Sequence, residues 1–435
     1  MNKLTRAIKR IERDKAIKEA KRLEKNGLYG DYETIITWEH FLEALKKCCK
    51  GVSWKGSVQV YYEHGVIEIS KTIKKLKDAR LPKLQSVKKI VIRERGKNRV
   101  IVPIKMPDRM VQRVFCDYAL VPMFKDYLIF DNGASTKGKG VQFARERLEY
   151  HLRNAIRKWH SDFYFLQFDF KGYFDSIPHK TCYNAIKDIF HDDRIVKIVM
   201  DIILSYKKNE ILQIEDKNEK ELQMVKLQNY ELNGICLGSQ ISQVMALVVP
   251  NELDHYIKDK CGVKHYLRYM DDGIIFSDNK EFLLELYSGM KAVCEKLGLK
   301  FNEKKTRISH ISCGFTFMKI KYNVIGCKLI KRLTRQGITR MRRKLRKFRR
   351  LVDNGEMNLD DVYNSMQSWL SHAKGAMSYT TQKNMLILYD QLFDGYRITN
   401  KYKNMVKNKV KGRNVPDEIL QNDKWKQYCW CCYTA

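Results

Sequence analysis

The chain has 435 residues, and 83 Lys and Arg against 50 Asp and Glu give it a formal net charge of +33. With 44% hydrophobic residues, 24 tyrosines and 18 phenylalanines, it contains the core-forming material that a disordered basic tail lacks. Its length allows about two or three domains. A positive excess of this size on a folded protein is most simply matched by nucleic acid, because phosphates bound by lysine or arginine release counterions.

The sequence lacks the features of an exported or membrane protein. Residues 1–25 mix basic and acidic side chains without an apolar segment, which excludes a signal peptide. No apolar run approaches the roughly 20 residues of a membrane span. We therefore expect a cytoplasmic protein with no membrane partner, whose 12 cysteines stay reduced. Cys429 and Cys432 form one C-x-x-C motif, but structural zinc usually needs a second pair, so no zinc is predicted.

The positive charge is concentrated in four segments. Residues 1–25, 71–113, 328–350 and 397–426 carry +6, +12, +12 and +6, so the rest of the chain stands at −3. Basic segments around a nearly neutral middle are expected of a binding channel that surrounds an acidic centre. The alternative is a set of solvated helix faces, although 328–350 contains 12 basic residues and no acid, which would repel one another without benefit.

Apolar periodicity and turn residues predict several elements in chain order. They are a helix over 1–25 ending at Asn26-Gly27, paired strands over 88–104 with a turn at Gly96, a buried strand over 163–170, a hairpin over 263–276, and helices over 360–374 and 382–393 in a carboxyl half that is rich in helix after residue 335.

The sharpest local feature is Tyr-Met-Asp-Asp at 269–272. Its flanks are strand-like, so Asp271 and Asp272 are predicted at the tip of the hairpin. Two adjacent carboxylates repel each other, which is costly unless a cation lies between them. Asp-Asp also occurs at 192–193 and 360–361, where it is predicted to be an ordinary helix start or an exposed pair.

A third carboxylate, Asp169, lies at the end of the predicted strand 163–170, just before a turn. Carboxylates at the ends of neighbouring strands can hold two Mg²⁺ ions about 3.5–4 Å apart, with Mn²⁺ as a possible substitute. Such ions activate an attacking hydroxyl and stabilise a leaving phosphate. The sequence therefore predicts nucleotidyl transfer, with Asp169, Asp271 and Asp272 as the catalytic and metal-binding residues.

From about residue 88 to 395, these motifs resemble those of the reverse transcriptases and occur in that family's order. The resemblance implies an α+β right-hand polymerase, in which fingers and a palm with an antiparallel sheet and packed helices precede an α-helical thumb. It divides the chain into an N-terminal helical extension (1–80), fingers and palm (81–325), a basic thumb (326–396) and a basic tail (397–435). Bacterial, group II intron-like members are the most similar type.

The resemblance also assigns binding residues. Phe170 joins the aspartates at the metals, Lys97 and Arg99 grip the triphosphate, Phe174 blocks a ribose 2′-hydroxyl so that deoxynucleotides are preferred, and Lys305 is a candidate proton donor to pyrophosphate. Lys97 and Arg99 could instead be exposed strand residues, Phe174 a core residue and Gly238 a turn residue. The full predicted sets are Lys97, Arg99, Phe174, Leu237, Gly238 and Lys305 for nucleotide, and Lys137, Lys139, Gln240, Phe317, Arg340, Arg343, Lys344, Arg346 and Lys347 for nucleic acid.

The segment 234–243 departs from the common pattern of the family. Cys236-Leu237 stands where Pro-Gln is usual, and Ser242-Gln243 stands where Ser-Pro is usual. The missing glutamine would lie against the nucleotide and template, so ordinary fidelity is not expected. Apolar replacements of this kind resemble diversity-generating retroelements, and Ser-Gln endings resemble both those enzymes and antiphage-defence reverse transcriptases.

The resemblance implies an RNA-directed DNA polymerase that copies a dedicated structured non-coding RNA, with dNTPs and a DNA product or primer as further partners. Autonomous retrotransposition is not expected, because no nuclease, integrase or ribonuclease H segment is evident. Bacterial antiphage defence is the first expectation. A diversity-generating retroelement, a retron-type enzyme and a catalytically inactive RNA-binding scaffold are the alternatives. An inactive scaffold would not need all three carboxylates. The N-terminal extension and the tail are expected to contact RNA, and the oligomeric state stays open.

Overall fold

The computed structural model describes residues 19–81, 90–94 and 97–398. The described residues form two compact units, which divide between residues 310 and 311. The turn at Gly96, the beginning of the helix predicted over 1–25, and almost all of the predicted tail with its C-x-x-C motif lie outside the described residues. The four-part division of the chain stays a prediction.

The first unit combines helices with two antiparallel sheets. Its strands are β1 (Ile90–Glu94), β2 (Lys97–Ile101), β3 (Tyr164–Asp169), β4 (Tyr266–Tyr269), β5 (Asp272–Ser277) and β6 (Arg307–His310). Its α-helices are α1 (19–29), α2 (Tyr32–Ile35), α3 (Trp38–Cys49), α4 (Gly56–Glu63), α5 (Gly65–Lys77), α6 (Met106–Phe115), α7 (Val121–Phe124), α8 (Val141–Trp159), α9 (Tyr173–Ser176), α10 (His179–Lys187), α11 (Asp193–Ile211), α12 (Lys217–Gln228), α13 (Gln240–Val248), α14 (Asn251–His255) and α15 (Lys280–Lys296), with π-helical turns at Cys116–Leu120 and Tyr256–Lys260.

Helix α1 continues past its predicted end at Asn26-Gly27, so that prediction is wrong. The Asn26 side chain is buried, and its Nδ2 donates to the Ile189 carbonyl at 2.8 Å. The backbone carbonyl of Asn26 also accepts from Gly30 N at 2.9 Å. Because the amide finds its partner in another part of the fold, it does not end the helix.

The central sheet has the strand order β4-β5-β3-β6, and each neighbouring pair is antiparallel. Strand β3 is the predicted strand over 163–170, and Phe165, Leu166 and Phe168 are almost completely buried in it. Strands β4 and β5 form the predicted hairpin. The paired strands predicted over 88–104 are also present as β1 and β2.

The Asp-Asp pair at 192–193 begins a helix, as predicted. Asp192 is the N-cap of α11, and its Oδ1 accepts from Arg194 N at 2.9 Å. Asp360 and Asp361 likewise lie in the first turn of a helix, where acidic side chains complement the helix dipole.

The second unit begins with a 3₁₀ turn at Ile311–Cys313 and a three-stranded antiparallel sheet of β7 (Phe315–Phe317), β8 (Ile320–Ile325) and β9 (Lys328–Leu333). It continues with α16 (Arg335–Asp353), α17 (Leu359–Ala373) and α18 (Tyr379–Phe393). Helices α17 and α18 confirm the predicted helices over 360–374 and 382–393. A stripe of Met341, Leu345 and Phe348 buries one side of α16, as the 3.6-residue period requires.

Across both units the architecture is α+β, as predicted. Among the residues that the structure describes, no helix is both long enough and apolar enough to cross a membrane.

Candidate active site

The β4–β5 hairpin brings one predicted catalytic aspartate opposite another. Asp272 is the first residue of β5 and pairs with Asp169, the last residue of β3. Tyr269 pairs with Asp272 on the other side, which leaves Met270 and Asp271 to make the turn. Asp272 therefore lies on the strand rather than at the tip. Met270 has a φ of 55°, in the left-handed region that an unbranched non-glycine residue enters only at a cost.

Backbone hydrogen bonds fix the end of β3 in this place. The Asp169 carbonyl accepts from Asn302 N at 2.7 Å, and Phe170 N donates to the Asp271 carbonyl at 3.3 Å. The Phe170 ring is buried, with its centroid 5.1 Å from Tyr173 and 5.3 Å from Phe301 in stacked geometry. The predicted role of Phe170 at the metals can therefore involve only its main chain.

The neighbouring carboxylates act on Asp272. Burial, followed by the charges of Asp271 and Asp169, raises the pKa of Asp272 to about 7. Lys305 Nζ contacts Asp169 Oδ2. Burial alone would lower the pKa of Lys305, but its contact with Asp169 and the charges of Asp272 and Asp271 outweigh burial, so this pKa is raised. The site thus concentrates negative charge that one ammonium group only partly offsets.

The donor set fits divalent cations. Carboxylate oxygens are the ligands that Mg²⁺ and Mn²⁺ prefer, and crowded carboxylates at a strand edge gain most from a cation that relieves their repulsion. In the described part of the chain, no three His, Cys, Asp or Glu side chains are already gathered closely enough to enclose a metal ion. The aspartate side chains would therefore have to turn toward a bound ion, and Lys305 would have to yield part of its contact.

A fully buried ion pair, which was not predicted from the sequence, supports the hairpin. Arg268 and Asp254 are both 0% exposed, and their Nη2 and Oδ2 atoms lie 2.6 Å apart. Asp254 Oδ1 also accepts from the Tyr266 hydroxyl at 2.6 Å. Arg268 Nη1 donates to the Met270 carbonyl at 3.0 Å, so the guanidinium holds the strained turn directly. One signal was present, since an arginine inside a strand otherwise built of apolar and aromatic residues needs a buried partner.

Gly273 is required by the ring beneath it. A Cβ atom at this position would lie 2.1 Å from the Phe168 Cζ atom, because Phe168 pairs with Gly273 across β3 and β5. The Phe168 ring also packs on Phe301 at a centroid distance of 5.3 Å. This packing fixes the floor under Asp169 and Asp272.

Backbone hydrogen bonds join the segment 234–240 to α9, the short helix that follows β3. Gly234 N donates to the Ile177 carbonyl at 2.9 Å and Ile235 N to the Phe174 carbonyl at 2.8 Å, so the segment that contains Leu237 is bonded to the backbone of Phe174. Phe174 and Leu237 are partly exposed and Gly238 is exposed.

Gly238 has a φ of 115°, and a Cβ there would lie 3.4 Å from the Val102 carbonyl. The loop therefore passes close to the end of β2. The backbones of Lys97 and Arg99 lie in β2, and their predicted nucleotide contacts stay predictions.

The residues predicted to bind nucleic acid occupy both units. In the first unit, Lys137 is exposed, while Lys139 donates to the Phe130 carbonyl at 2.8 Å and lies over the Phe130 and Phe143 rings. Gln240 begins α13 and is partly exposed.

In the second unit, five predicted cationic side chains are exposed along α16: Arg340, Arg343, Lys344, Arg346 and Lys347. Lys344 Nζ also donates to Ser365 Oγ at 2.7 Å. The Phe317 ring is only 1% exposed, because alternation along β7 turns Thr316 outward instead. The structure therefore does not support a contact between this ring and nucleic acid.

Several solved structures align with this chain. Telomerase from Candida tropicalis, without ligand and truncated from its C-terminal domain, aligns at a TM-score of 0.41 and 16% identity over 62% of this chain and 60% of that one. Telomerase from Candida albicans in complex with a TWJ fragment of telomeric RNA aligns at 0.41 and 11% over 81% and 70%. The longer apo telomerase from Candida tropicalis aligns at 0.39 and 14% over 79% and 64%. The chain thus spans less than two thirds of the first of these.

Among curated proteins, none matches this sequence. The family profile described as "Reverse transcriptase (RNA-dependent DNA polymerase)" matches residues 82–372. The matched region contains all three sheets, the three aspartates and the segment 234–243, and it confirms the predicted fingers-and-palm fold. Because it covers well over half of the chain, the protein belongs to the reverse transcriptase family.

Proposed function

We propose that this protein is an RNA-directed DNA polymerase whose catalytic residues are Asp169, Asp271 and Asp272. The observation that carries this proposal is the pairing of Asp169 with Asp272 across β3 and β5, with Asp271 in the turn beside them. A fold has no structural need for three crowded carboxylates at a sheet edge, because their repulsion opposes stability. The same argument disfavours the alternative of an inactive RNA-binding scaffold.

The aspartates would hold two Mg²⁺ ions, or Mn²⁺ in their place. Such ions, when bound, supply activation of the primer 3′-hydroxyl and stabilisation of the leaving pyrophosphate. The chain itself supplies the geometry, since β3 and the Arg268-supported hairpin fix the carboxylate-bearing backbone before substrate binds. Lys305, held beside Asp169, would donate a proton to pyrophosphate.

The nucleotide would lie between β2 and the segment 234–240. Lys97 and Arg99 would bind its triphosphate, and Phe174, Leu237 and Gly238 would form the surface against its sugar and base. Phe174 is partly exposed, as a ring that excludes a ribose 2′-hydroxyl must be. We therefore propose dNTPs as the substrates, and the predicted extension, fingers, palm, thumb and tail as the organisation of the chain.

The biological setting we propose is bacterial antiphage defence, in which a cytoplasmic enzyme copies a dedicated structured RNA into DNA. The support is the resemblance of Cys236-Leu237 and Ser242-Gln243 to the corresponding residues of such enzymes. Diversity-generating retroelements share these departures and are the alternative. Sequencing the RNA and DNA that co-purify with the protein distinguishes the two, because a variable-gene template would support the alternative.

Primer extension by the full-length protein tests the activity. The assay contains an RNA template, a DNA primer, dNTPs and Mg²⁺. We expect extension by the wild type and loss of at least a thousandfold in Asp272→Asn and in Asp169→Asn, since each removes a cation ligand. Asp193→Asn and Asp361→Asn, at exposed members of the other Asp-Asp pairs, are the matched controls. Equal extension by the Asp272→Asn protein and its controls would refute the proposal.

A further inference from the structure

The segment 232–235 forms a short antiparallel ladder with the chain around α9. At one end of this ladder, His179 N donates to the Leu232 carbonyl at 3.0 Å. At the other end, Ile235 N donates to the Phe174 carbonyl at 2.8 Å. The ladder therefore ties the backbone of Phe174 to the chain that enters α13.

The His179 side chain closes the ladder at Gly234. This imidazole is 0% exposed, and its Nε2 lies 2.8 Å from the Gly234 carbonyl oxygen. A carbonyl oxygen can only accept, so Nε2 carries the proton and donates it. Because Gly234 N already donates to the Ile177 carbonyl, both backbone groups of Gly234 are held by the opposite side of the ladder.

The His179 ring is held in its neutral form. Its Nδ1 atom is buried and has no hydrogen-bonding partner among the residues that the structure describes, so a second proton there would go unpaired. Burial lowers the pKa of His179 from its ordinary 6.5, and the charge of Lys207 adds to this, which together outweigh the opposite effect of the bond to Gly234. At neutral pH the ring therefore donates through Nε2 alone.

The backbone at Gly234 is closely packed. Its φ of 106° lies in the left-handed region that favours glycine, and a Cβ atom there would lie 3.0 Å from Lys207 Cε and 3.4 Å from the Asp175 carbonyl oxygen. The Lys207 side chain is itself held by Glu210, with 2.8 Å between Nζ and Oε2. A side chain at position 234 would therefore push the ladder apart.

The loop between the ladder and α13 is fixed separately at its far end. Ser239 is the N-cap of α13, and its Oγ donates to Gln112 Oε1 at 3.0 Å. Leu237 and Gly238 thus lie in a short loop with both ends held. Loss of the His179 bond would free only the end that meets α9.

We infer that His179 is a positioning residue that sets the selectivity of this enzyme for deoxynucleotides over ribonucleotides. Its bond to Gly234 holds the ladder, and the ladder fixes the backbone that carries the Phe174 ring. Because His179 is 0% exposed, it touches no substrate and acts only through this ladder. The inference rests on the proposed function, in which Phe174 excludes a ribose 2′-hydroxyl.

The test measures nucleotide selectivity in variants of the full-length protein. His179→Phe keeps a buried aromatic ring but removes the donor, whereas His179→Gln keeps an N–H donor near the end of the side chain. His255→Phe is the matched control, because it removes a bond of the same kind and length, from His255 Nε2 to the Tyr127 carbonyl at 2.8 Å. Single-nucleotide incorporation on an RNA template with a DNA primer gives the ratio of kcat/KM for dGTP to that for GTP.

For His179→Phe we expect this ratio to fall about tenfold, because a displaced ring discriminates less sharply against a 2′-hydroxyl. His179→Gln and His255→Phe should stay within about threefold of the wild type, since neither loses the bond to Gly234. An unchanged ratio in His179→Phe, or a fall of the same size in either of the other two variants, would overturn the inference.

A second pair of variants perturbs the ladder without changing His179, and it decides the question if His179→Phe does not fold. Gly234→Ala places a methyl group against Lys207 Cε and should lower the ratio. Gly262→Ala also introduces a side chain at a positive φ, here 64°, but with open space around the methyl group, and should leave the ratio unchanged. Equal ratios in the two glycine variants would overturn the inference.

Hydrogen–deuterium exchange separates this inference from the proposed function, because it needs no catalysis. The Ile235 amide should exchange faster in His179→Phe than in the wild type and in His179→Gln. If the wild type never extends a primer, the polymerase proposal fails and the selectivity falls with it, while exchange at Ile235 still decides whether His179 holds the ladder. If the wild type extends a primer and His179→Phe keeps its selectivity, only the role of His179 fails.

Discussion

Two regions of the molecule concentrate charge of one sign, and they do so at very different cost. At the edge of the central sheet, Asp169, Asp271 and Asp272 crowd together, and burial helps to raise the pKa of Asp272 to about 7. On α16, the cationic side chains fan out into solvent while only one stripe of the helix is buried. Water and salt screen exposed charges but not buried ones. Dense basic residues on a helix surface are therefore inexpensive, whereas buried carboxylates need a network that holds them.

The largest effect on stability is expected from breaking the buried ion pair between Arg268 and Asp254. Arg268→Met should lower the free energy of unfolding by about 3–5 kcal/mol, because it leaves the Asp254 carboxylate buried without its partner. Equilibrium urea denaturation measures the loss. Adding Asp254→Asn should recover part of it. Lys71→Met breaks the exposed pair with Glu68 and should cost at most about 1 kcal/mol. Similar losses in Arg268→Met and Lys71→Met would remove the distinction between buried and exposed charge.

The packing beneath the carboxylates provides the next test. Gly273→Ala should destabilise the protein by about 1–3 kcal/mol and reduce primer extension, because the added methyl group collides with the Phe168 ring. Phe168→Leu added to Gly273→Ala should restore part of both. Gly27→Ala, in α1 with open space around the new methyl group, is the matched control and should be neutral or slightly stabilising. A Gly273→Ala protein as stable as that control would show that the ring can move aside freely.

The half-buried side chain of His265 makes the stability of the protein depend on pH. Burial, together with the charges of His151, Lys158 and neighbouring lysines, lowers the pKa of His265 to about 4 from its ordinary 6.5. Between these values the unfolded chain binds the proton that the folded chain refuses, so stability falls as the pH drops from 6.5 toward 4.

His265→Gln should flatten this fall in urea midpoints measured across that range. His191→Gln changes an exposed histidine and serves as the control. If both variants lose stability on acidification as steeply as the wild type does, His265 is not the group responsible.

The smallest effect on stability is expected on α16. Replacing Arg340, Arg343, Arg346 and Lys347 by Gln should change the free energy of unfolding by less than about 0.5 kcal/mol per site, since all four are exposed. The same variant should show a flatter salt dependence of RNA binding. An unchanged slope of log K against log salt would show that the exposed cations of α16 are a solvated surface that does not bind RNA.

The local pattern was sufficient where neighbours in sequence decide the structure. The apolar run over 163–170 predicted β3, the flanks of Tyr-Met-Asp-Asp predicted the hairpin, and the Asp-Asp pair at 192–193 proved to be a helix start. Each of these depends on periodicity or capping within a few residues. The end of α1 was mispredicted because Asn26 bonds to Ile189, which is remote in sequence.

The amino-acid sequence by itself determined the α+β class, the order of the motifs and the likeness to reverse transcriptases, because carboxylates, strands and turns are encoded in short windows. Only the tertiary structure decided that Asp169 faces Asp272 and that Arg268 and Asp254 support the turn at Met270. These facts depend on strand register and on contacts between distant residues, which composition and periodicity do not specify. The net charge of +33 indicated a polyanionic partner, and the fold placed several of the cationic side chains on the exposed surface of α16.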